Sequence, residues 1–142
     1  IDCFCNVEED EDEQGSALNF LLIDVHQRRV ELKDVVLALR KYLTSENEAS
    51  RVRGVLLLAE LLTRLPDLDL NENATQTLVQ FFCQRLQDYG TVKETLKGLV
   101  ALVQNRKHVL PQGSLTAICQ AIFKEVTVQA LIQLSRKHVF DI

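Results

Sequence analysis

From residue 17 onward, apolar side chains recur every three or four positions, which is the spacing of one face of an α-helix. Leu18, Leu21 and Val25 begin the pattern, and later segments repeat it. The segment 49–65 is apolar on most sides, so other helices must cover it on most sides. With 5 Gly and 2 Pro in 142 residues, the chain lacks the turn residues of an all-β protein. The sequence therefore predicts an all-α fold.

The helical segments repeat in pairs. Residues 52–58 (Val-Arg-Gly-Val-Leu-Leu-Leu) match 96–102 (Leu-Lys-Gly-Leu-Val-Ala-Leu) at an offset of 44. A period of about 40 residues with two helices per unit is typical of HEAT and armadillo repeats. The matched Gly54 and Gly98 let a neighbouring helix approach closely, which offsets about 1 kcal/mol of lost helix propensity. We therefore expect 17–142 to form a HEAT/armadillo-like α-solenoid of antiparallel helix pairs. The alternative is a closed α-helical bundle.

Several residues mark helix ends. Pro66 ends the very apolar helix, because proline cannot continue a helix. Asn71 or Asn73 can cap the next helix, and Thr91 with Glu94 has the spacing of a capping box for the one after it. These positions predict short loops between the helices.

Near the end of the chain we expect a helix from about residue 112, then a shorter helix over 128–134. Ser135 would cap a further helix that the end of the sequence cuts off. On this interpretation the solenoid has about three helix pairs, the last one truncated, and belongs to a longer protein.

The formal charge of −4 is unevenly distributed. Residues 1–13 carry seven acids and no base, whereas 14–142 carry 13 acids and 16 bases. Positions 8–13 are all acidic, and such a run repels itself and resists packing. We therefore expect 1–16 to be a disordered acidic lead, either a tether to a basic partner or a competitor for the protein's own basic groove. The acidic balance argues against direct nucleic-acid binding.

Motifs of catalysis are absent from the sequence. It has no P-loop, no Gly-rich dinucleotide turn, no nucleophile elbow and no HExxH, which predicts a non-enzyme without a cofactor. We interpret His26, His108 and His138 as surface residues, since none has a metal partner at i+3 or i+4. No apolar stretch is long enough to cross a membrane.

Four cysteines leave one metal hypothesis open. Cys3 and Cys5 form a C-x-C pair, but a zinc site needs about four ligands and a second pair is absent. The favoured interpretation is a pair of disordered thiols. The alternative is a metal-binding fragment that also uses Cys83 or Cys119. We expect these last two to be buried as small apolar side chains.

Basic residues occupy matched repeat positions. Arg53 and Lys97 each precede a matched glycine, and Arg51 and Lys93 lie nearby. In a two-helix solenoid the second helices line the concave face, which is the usual binding surface. The four residues are therefore a candidate partner-binding strip. The alternatives are ordinary solvent-facing residues and, for Arg53, a bridge between repeats.

Two regions of the chain carry a family resemblance. In the segment 121–142 the matching positions are Ile122-Phe123, Glu125-Val126, Val128-Gln129, Leu131, Gln133, Arg136 and Val139. At these positions the segment is similar to the N-terminal domain of the methyl-methanesulfonate-sensitivity HEAT-repeat family, and the region Glu48 to Leu62 resembles that family's first full repeat. The resemblance extends over roughly 17–142. One departure is Ile132, which stands where proline is common, so the helix would run on there.

The resemblance implies a non-enzymatic adaptor of cytosolic iron–sulfur protein assembly. Such a protein helps to deliver clusters to apoproteins, among them DNA helicases and polymerases, within a targeting complex, and is linked to the repair factor TFIIH. It would work in the cytoplasm and the nucleus. This segment would be a client-binding arm, because the family binds the assembly subunits mainly through its C-terminal repeats. The alternative is an unrelated HEAT-repeat interaction module.

Overall fold

The computed structural model describes residues 1–6, 8–68, 70–106 and 113–140, and this part of the chain contains helices and no strand. A 3-10 turn, Tyr89–Thr91, precedes the sixth α-helix. The α-helices are α1 Asp2–Cys5, α2 Glu11–His26, α3 Leu32–Leu43, α4 Glu48–Arg64, α5 Glu72–Arg85, α6 Val92–Arg106 and α7 Ser114–Phe140.

Two helix pairs, α3 with α4 and α5 with α6, stack through the contact between α4 and α6. α4 also packs against α1 and α2, so the most apolar helix is covered on most sides, as its sequence predicts. Its buried residues join those of the other helices in one core. The prediction of an all-α, solenoid-like fold is confirmed. The buried side chains of α4 include Val55, Leu57, Leu58, Leu61 and Leu62.

Asparagine side chains fix the start of α4 and α5. The Asn47 Oδ1 accepts from the Ser50 amide at 3.3 Å, and the Asn71 Oδ1 accepts from the Ala74 amide at 2.7 Å. Each bond satisfies an amide that has no partner inside the helix. The predicted capping box of Thr91 and Glu94 is not formed within the described residues, since the amide and the hydroxyl of Thr91 both donate to the Asp88 carbonyl, at 3.0 and 3.1 Å.

Equivalent helix ends are joined across the two pairs by hydrogen bonds. Arg85, the last residue of α5, donates through Nη1 to the carbonyl of Leu43, the last residue of α3, at 3.0 Å. Asn105 near the end of α6 donates to the Leu62 carbonyl near the end of α4 at 3.5 Å. Both bonds satisfy carbonyls that a helix leaves without an internal partner. They hold the C-terminal ends of corresponding helices close together.

The prediction that 1–16 form a disordered lead is wrong for most of that segment. Phe4 and Cys5 of α1 are buried against the core, with 4% and 1% of their surface exposed. The acidic run starts α2, where Asp10 accepts from the Asp12 amide at 3.3 Å. Carboxylates are favoured in a first helical turn because they face the positive end of the helix dipole. The same charges that suggested disorder therefore support a helix start.

The predicted helix boundaries near the C-terminus are also wrong. α7 is one helix of 27 residues, so the backbone neither breaks before 128 nor restarts at Ser135. The continuous helix agrees with the expectation that Ile132, in place of proline, lets it run on. α7 packs against α5 and exposes apolar side chains on another side, including Phe123, which is 73% exposed. None of the described helices combines the length and apolarity needed to cross a membrane.

Candidate protein-interaction site

The predicted basic strip is distributed over two packed helices. α4 carries Arg51 and Arg53, and α6 carries Lys93 and Lys97. Because α4 and α6 pack along their length, the four residues lie on neighbouring helices. Their side chains, however, have different partners, and they do not form one open basic row.

Arg51 stabilises the loops beside its helix. Its Nε pairs with Asp88 Oδ2 at 2.8 Å, and its Nη1 donates to the carbonyls of Ser45 and Glu46 at 2.9 and 3.1 Å. The hydrogen bond to Asp88 raises the pKa of the guanidinium. Since these contacts join α4 to the loop before it and to Asp88 before the 3-10 turn, Arg51 has a structural role.

Arg53 is covered by α1. Its Nε donates to the Phe4 carbonyl at 3.0 Å, and its guanidinium carbon lies 4.0 Å from the centre of the Phe4 ring. This combines a charge-assisted hydrogen bond with a cation–π contact. The side chain bridges α4 to α1, whereas the sequence suggested a bridge between repeats.

Lys97 supplies the bridge between repeats. Its ammonium on α6 pairs with the carboxylate of Glu60 on α4, and Arg64 pairs with the same carboxylate at 2.8 Å. Glu60 is 8% exposed, so its charge is buried beside two cations. Lys93 is exposed, and it makes no ion pair within the described part of the chain.

One surface nevertheless remains open, and we call it the α4–α6 face. On α6 it consists of positions spaced at four, three and four residues, which places them on one side of the helix. The Lys97–Glu60 contact joins this row to a row on α4. Three bases and one acid give the face a positive balance, and Val100 adds an exposed apolar side chain. The face comprises Glu60, Arg64, Lys93, Lys97, Val100 and Gln104.

The cysteines do not converge. The Cys3 thiol donates to the Glu13 carbonyl at 3.7 Å, and burial raises the pKa of Cys5 to about 11. Burial also raises the pKa of Cys83. Cys119 is exposed on α7, whereas the sequence predicted that it is buried. A raised pKa disfavours the thiolate that a metal requires. Within the described residues, no three His, Cys, Asp or Glu side chains could hold one ion. Of the three histidines, His26 is exposed as predicted, while the side chains of the other two lie outside the described residues.

The contacts of Asp2 are not predictable from the local sequence pattern. Its Oδ1 accepts from the Tyr42 hydroxyl at 2.5 Å and pairs with the Lys41 ammonium at 3.0 Å. The hydrogen bond from Tyr42, followed by that from Lys41, lowers the pKa of the Asp2 carboxyl. Together with Arg53, these residues hold α1 on α3 and α4. The available signal was the apolar pair Phe4 and Cys5 just before the acidic run.

Comparison with known proteins identifies related sequences. The family described as Dos2-interacting transcription regulator of RNA-Pol-II matches residues 36–142, from within α3 onward. The MMS19 nucleotide excision repair protein homolog of Dictyostelium discoideum is 37% identical over 142 residues, which is 100% of this chain and 13% of that protein. The homolog of the same name in Mus musculus is 36% identical over 120 residues, or 84% of this chain and 11% of that protein.

The DNA repair/transcription protein mms19 of Schizosaccharomyces pombe is 26% identical over 137 residues, which is 96% of this chain and 13% of that protein. The chain therefore spans 11% to 13% of the length of these curated relatives. No solved structure matches it.

Proposed function

The chain belongs to the family described as Dos2-interacting transcription regulator of RNA-Pol-II, and on that premise we propose that it is a protein-interaction module of a DNA repair and transcription adaptor. The names of its relatives, nucleotide excision repair protein homolog and DNA repair/transcription protein, support this role. Because the chain belongs to this family, we set aside the alternative that it is an unrelated HEAT-repeat interaction module. The chain corresponds to 13% of the length of those relatives. The activity of the whole protein is therefore part of what we propose.

The finer role is that of a non-enzymatic scaffold in the complex that targets cytosolic iron–sulfur clusters to apoproteins. The cluster is cargo here, and the clients are DNA helicases and polymerases that need one. The further partners are the other subunits of the targeting complex and TFIIH, in the cytoplasm and the nucleus. The sequence resemblance in 121–142 and in 48–62 supports this role.

One observation carries the proposal: the family match extends over both stacked helix pairs. The charged groups that meet between these helix pairs, Glu60 with Lys97 and Arg51 with Asp88, join helices and loops to one another. Such pairs stabilise a rigid surface, which is what a scaffold presents to its partners.

The α4–α6 face is the surface that we assign to clients. Lys93 and Val100 are exposed, and they lie two turns apart on one side of α6. A client segment that combines acidic residues with an apolar anchor matches this chemistry. The acidic groups would steer the encounter, and the apolar anchor would supply the buried contact.

The test is binding of a purified apo-form iron–sulfur helicase to the immobilised 142-residue chain, measured by interferometry. We expect Lys93→Glu with Val100→Asp to weaken binding by about tenfold or more, since central interface residues carry most of the affinity. Lys97 is left unchanged, because its replacement would also disturb Glu60.

The matched control is Lys33→Glu with Ile23→Asp, which replaces an exposed lysine and an exposed β-branched apolar residue by the same two acids on α3 and α2. The control should bind as the wild type does. Equal weakening by both pairs of substitutions would remove the α4–α6 face from the proposal. Absence of helicase binding by the folded wild-type chain would contradict the client-binding role.

A further inference from the structure

The single-turn helix α1 occupies a built surface on two much longer helices. Its Asp2 carboxylate lies between Tyr42 and Lys41 of α3, at 2.5 and 3.0 Å. Its Phe4 ring and Phe4 carbonyl both contact Arg53 of α4. Three different groups of α1, a carboxylate, a main-chain carbonyl and an aromatic ring, therefore each have a partner on the receiving helices.

The geometry points to an exchangeable peptide-docking site, which we call the α1 seat and define by Lys41, Tyr42 and Arg53. We propose that α1 fills it in cis, and that a partner segment with an aspartate followed two residues later by phenylalanine takes its place. The chemistry of the occupant is read from α1 itself. Since the inference concerns this seat alone, it stands apart from the iron–sulfur role and from the α4–α6 face.

The two sides of this contact differ in how they are held. A helix of four residues is not stable by itself, because forming the first turn costs more than its hydrogen bonds return. α1 keeps its shape through its contacts with α2, α3 and α4. Lys41 and Tyr42 lie on a helix of 12 residues and Arg53 on one of 17, so the seat persists when α1 leaves.

Solvent can reach the ion pair at the edge of the seat. The Asp2 side chain is 75% exposed and that of Lys41 is 64% exposed. A competing carboxylate can therefore approach Lys41 before Asp2 has departed. Once the competing carboxylate has replaced Asp2 at Lys41, the buried residues Phe4 and Cys5 would leave the seat in turn.

A groove extends the seat beyond the first residue of α1. It has a volume of about 790 Å³ and runs from Ile1 and Asp2 along α2 and α3. Its apolar lining includes Leu21, Val30 and Leu37, the last of which is 65% exposed. A partner segment with apolar residues before its aspartate would contact this lining.

A fluorescent peptide of residues 1–6 tests the seat, with its binding to the 142-residue chain followed by anisotropy under reducing conditions. A tethered segment acts at an effective concentration on the order of millimolar, so the wild type should bind the peptide weakly. Asp2→Lys places a second cation beside Lys41 and should release α1. We expect this variant to bind the peptide at least about tenfold more tightly than the wild type.

Two further variants in the Asp2→Lys background locate the binding. Arg53→Gln should abolish it, whereas Lys93→Gln, a change of the same charge on α6, should leave it unchanged. A peptide carrying Phe4→Ala should bind at least about tenfold less tightly, because it lacks the ring that contacts Arg53. Circular dichroism must show native helix content for each variant.

Two outcomes would overturn the inference. One is that the peptide fails to bind the folded Asp2→Lys variant, which would make α1 a fixed part of the fold. The other is that Arg53→Gln binds the peptide as tightly as its parent, which would place the peptide elsewhere. Either result leaves the helicase experiment unaffected, because that experiment probes the α4–α6 face.

Discussion

Gly98 on α6 lies directly against the ring of Phe82 on α5, so that an added Cβ would come within 2.4 Å of the Phe82 Cζ. Gly54 on α4 makes the corresponding approach to Leu43 on α3, where an added Cβ would lie 3.1 Å from a methyl carbon. The repeated glycine thus closes the contact inside each helix pair, as the sequence predicted.

Gly98→Ala should destabilise the fold. The extra methyl group gains up to about 1 kcal/mol of helix propensity, but overpacking against the fully buried Phe82 costs about 1–3 kcal/mol. The free energy of unfolding, measured by urea denaturation with circular dichroism, should therefore fall. Gly15→Ala on α2 is the control, since nothing lies within 4 Å of an added Cβ there, and it should gain about 0.5–1 kcal/mol. A gain for both substitutions would contradict the close approach.

The Glu60–Lys97 pair should couple the two repeats energetically. In a double-mutant cycle with Glu60→Gln and Lys97→Met, we expect a coupling energy of about 0.5–1 kcal/mol, kept low because the lysine is partly exposed to solvent. The coupling should shrink in 1 M salt. A coupling of zero at low salt would show that the contact is incidental to the packing of α4 on α6.

Because of Asp2, the free energy of unfolding should depend on pH in the acidic range. Hydrogen bonding by Tyr42, and then by Lys41, holds the pKa of Asp2 below its ordinary value of 3.8. The folded state therefore favours the carboxylate, and this stabilisation is fully present above pH 3.8 and is lost as the pH falls through the lowered pKa. We expect Asp2→Asn to be less stable than the wild type at neutral pH, with the two stabilities converging under acid. A difference that persists unchanged in acid would assign the effect to packing alone.

The four thiols should react in an order set by burial. Exposed Cys119 should be alkylated first by iodoacetamide at pH 8, and Cys5, which is 1% exposed and has a pKa raised to about 11, should be last. Mass spectrometry of the modified peptides measures the order. Asp2→Lys should accelerate Cys5 without changing Cys119, since only Cys5 is covered through the seating of α1. Equal acceleration of both would indicate general unfolding.

The sequence predicts the helices and their pairing because those depend on local periodicity. Apolar spacing identifies α2 to α6, and the glycine positions identify where helices touch. The N-terminal segment was mispredicted because its charge and its position along the chain point to different structures. The acidic run suggested disorder from its charge, whereas its position at the start of α2 favours a helix.

The basic strip was only partly predictable, because its partners are distant in sequence. Arg51 pairs with a residue 37 positions away, and Arg53 bonds to one 49 positions away. Repeat matching shows that Arg53 and Lys97 are equivalent, but it cannot show that α1 covers one while Glu60 neutralises the other. Tertiary contacts therefore decide which basic side chains remain exposed and available to a partner.

The bonds from Arg85 to the Leu43 carbonyl and from Asn105 to the Leu62 carbonyl span 42 and 43 residues. An inserted residue inside α5 would turn Arg85 by about 100° away from its acceptor. An insertion in the loop between α4 and α5 would be absorbed before the helix begins. Related chains can therefore differ in the length of a repeat unit while both bonds are kept. Evolutionary drift in repeat length should accordingly be confined to the loops.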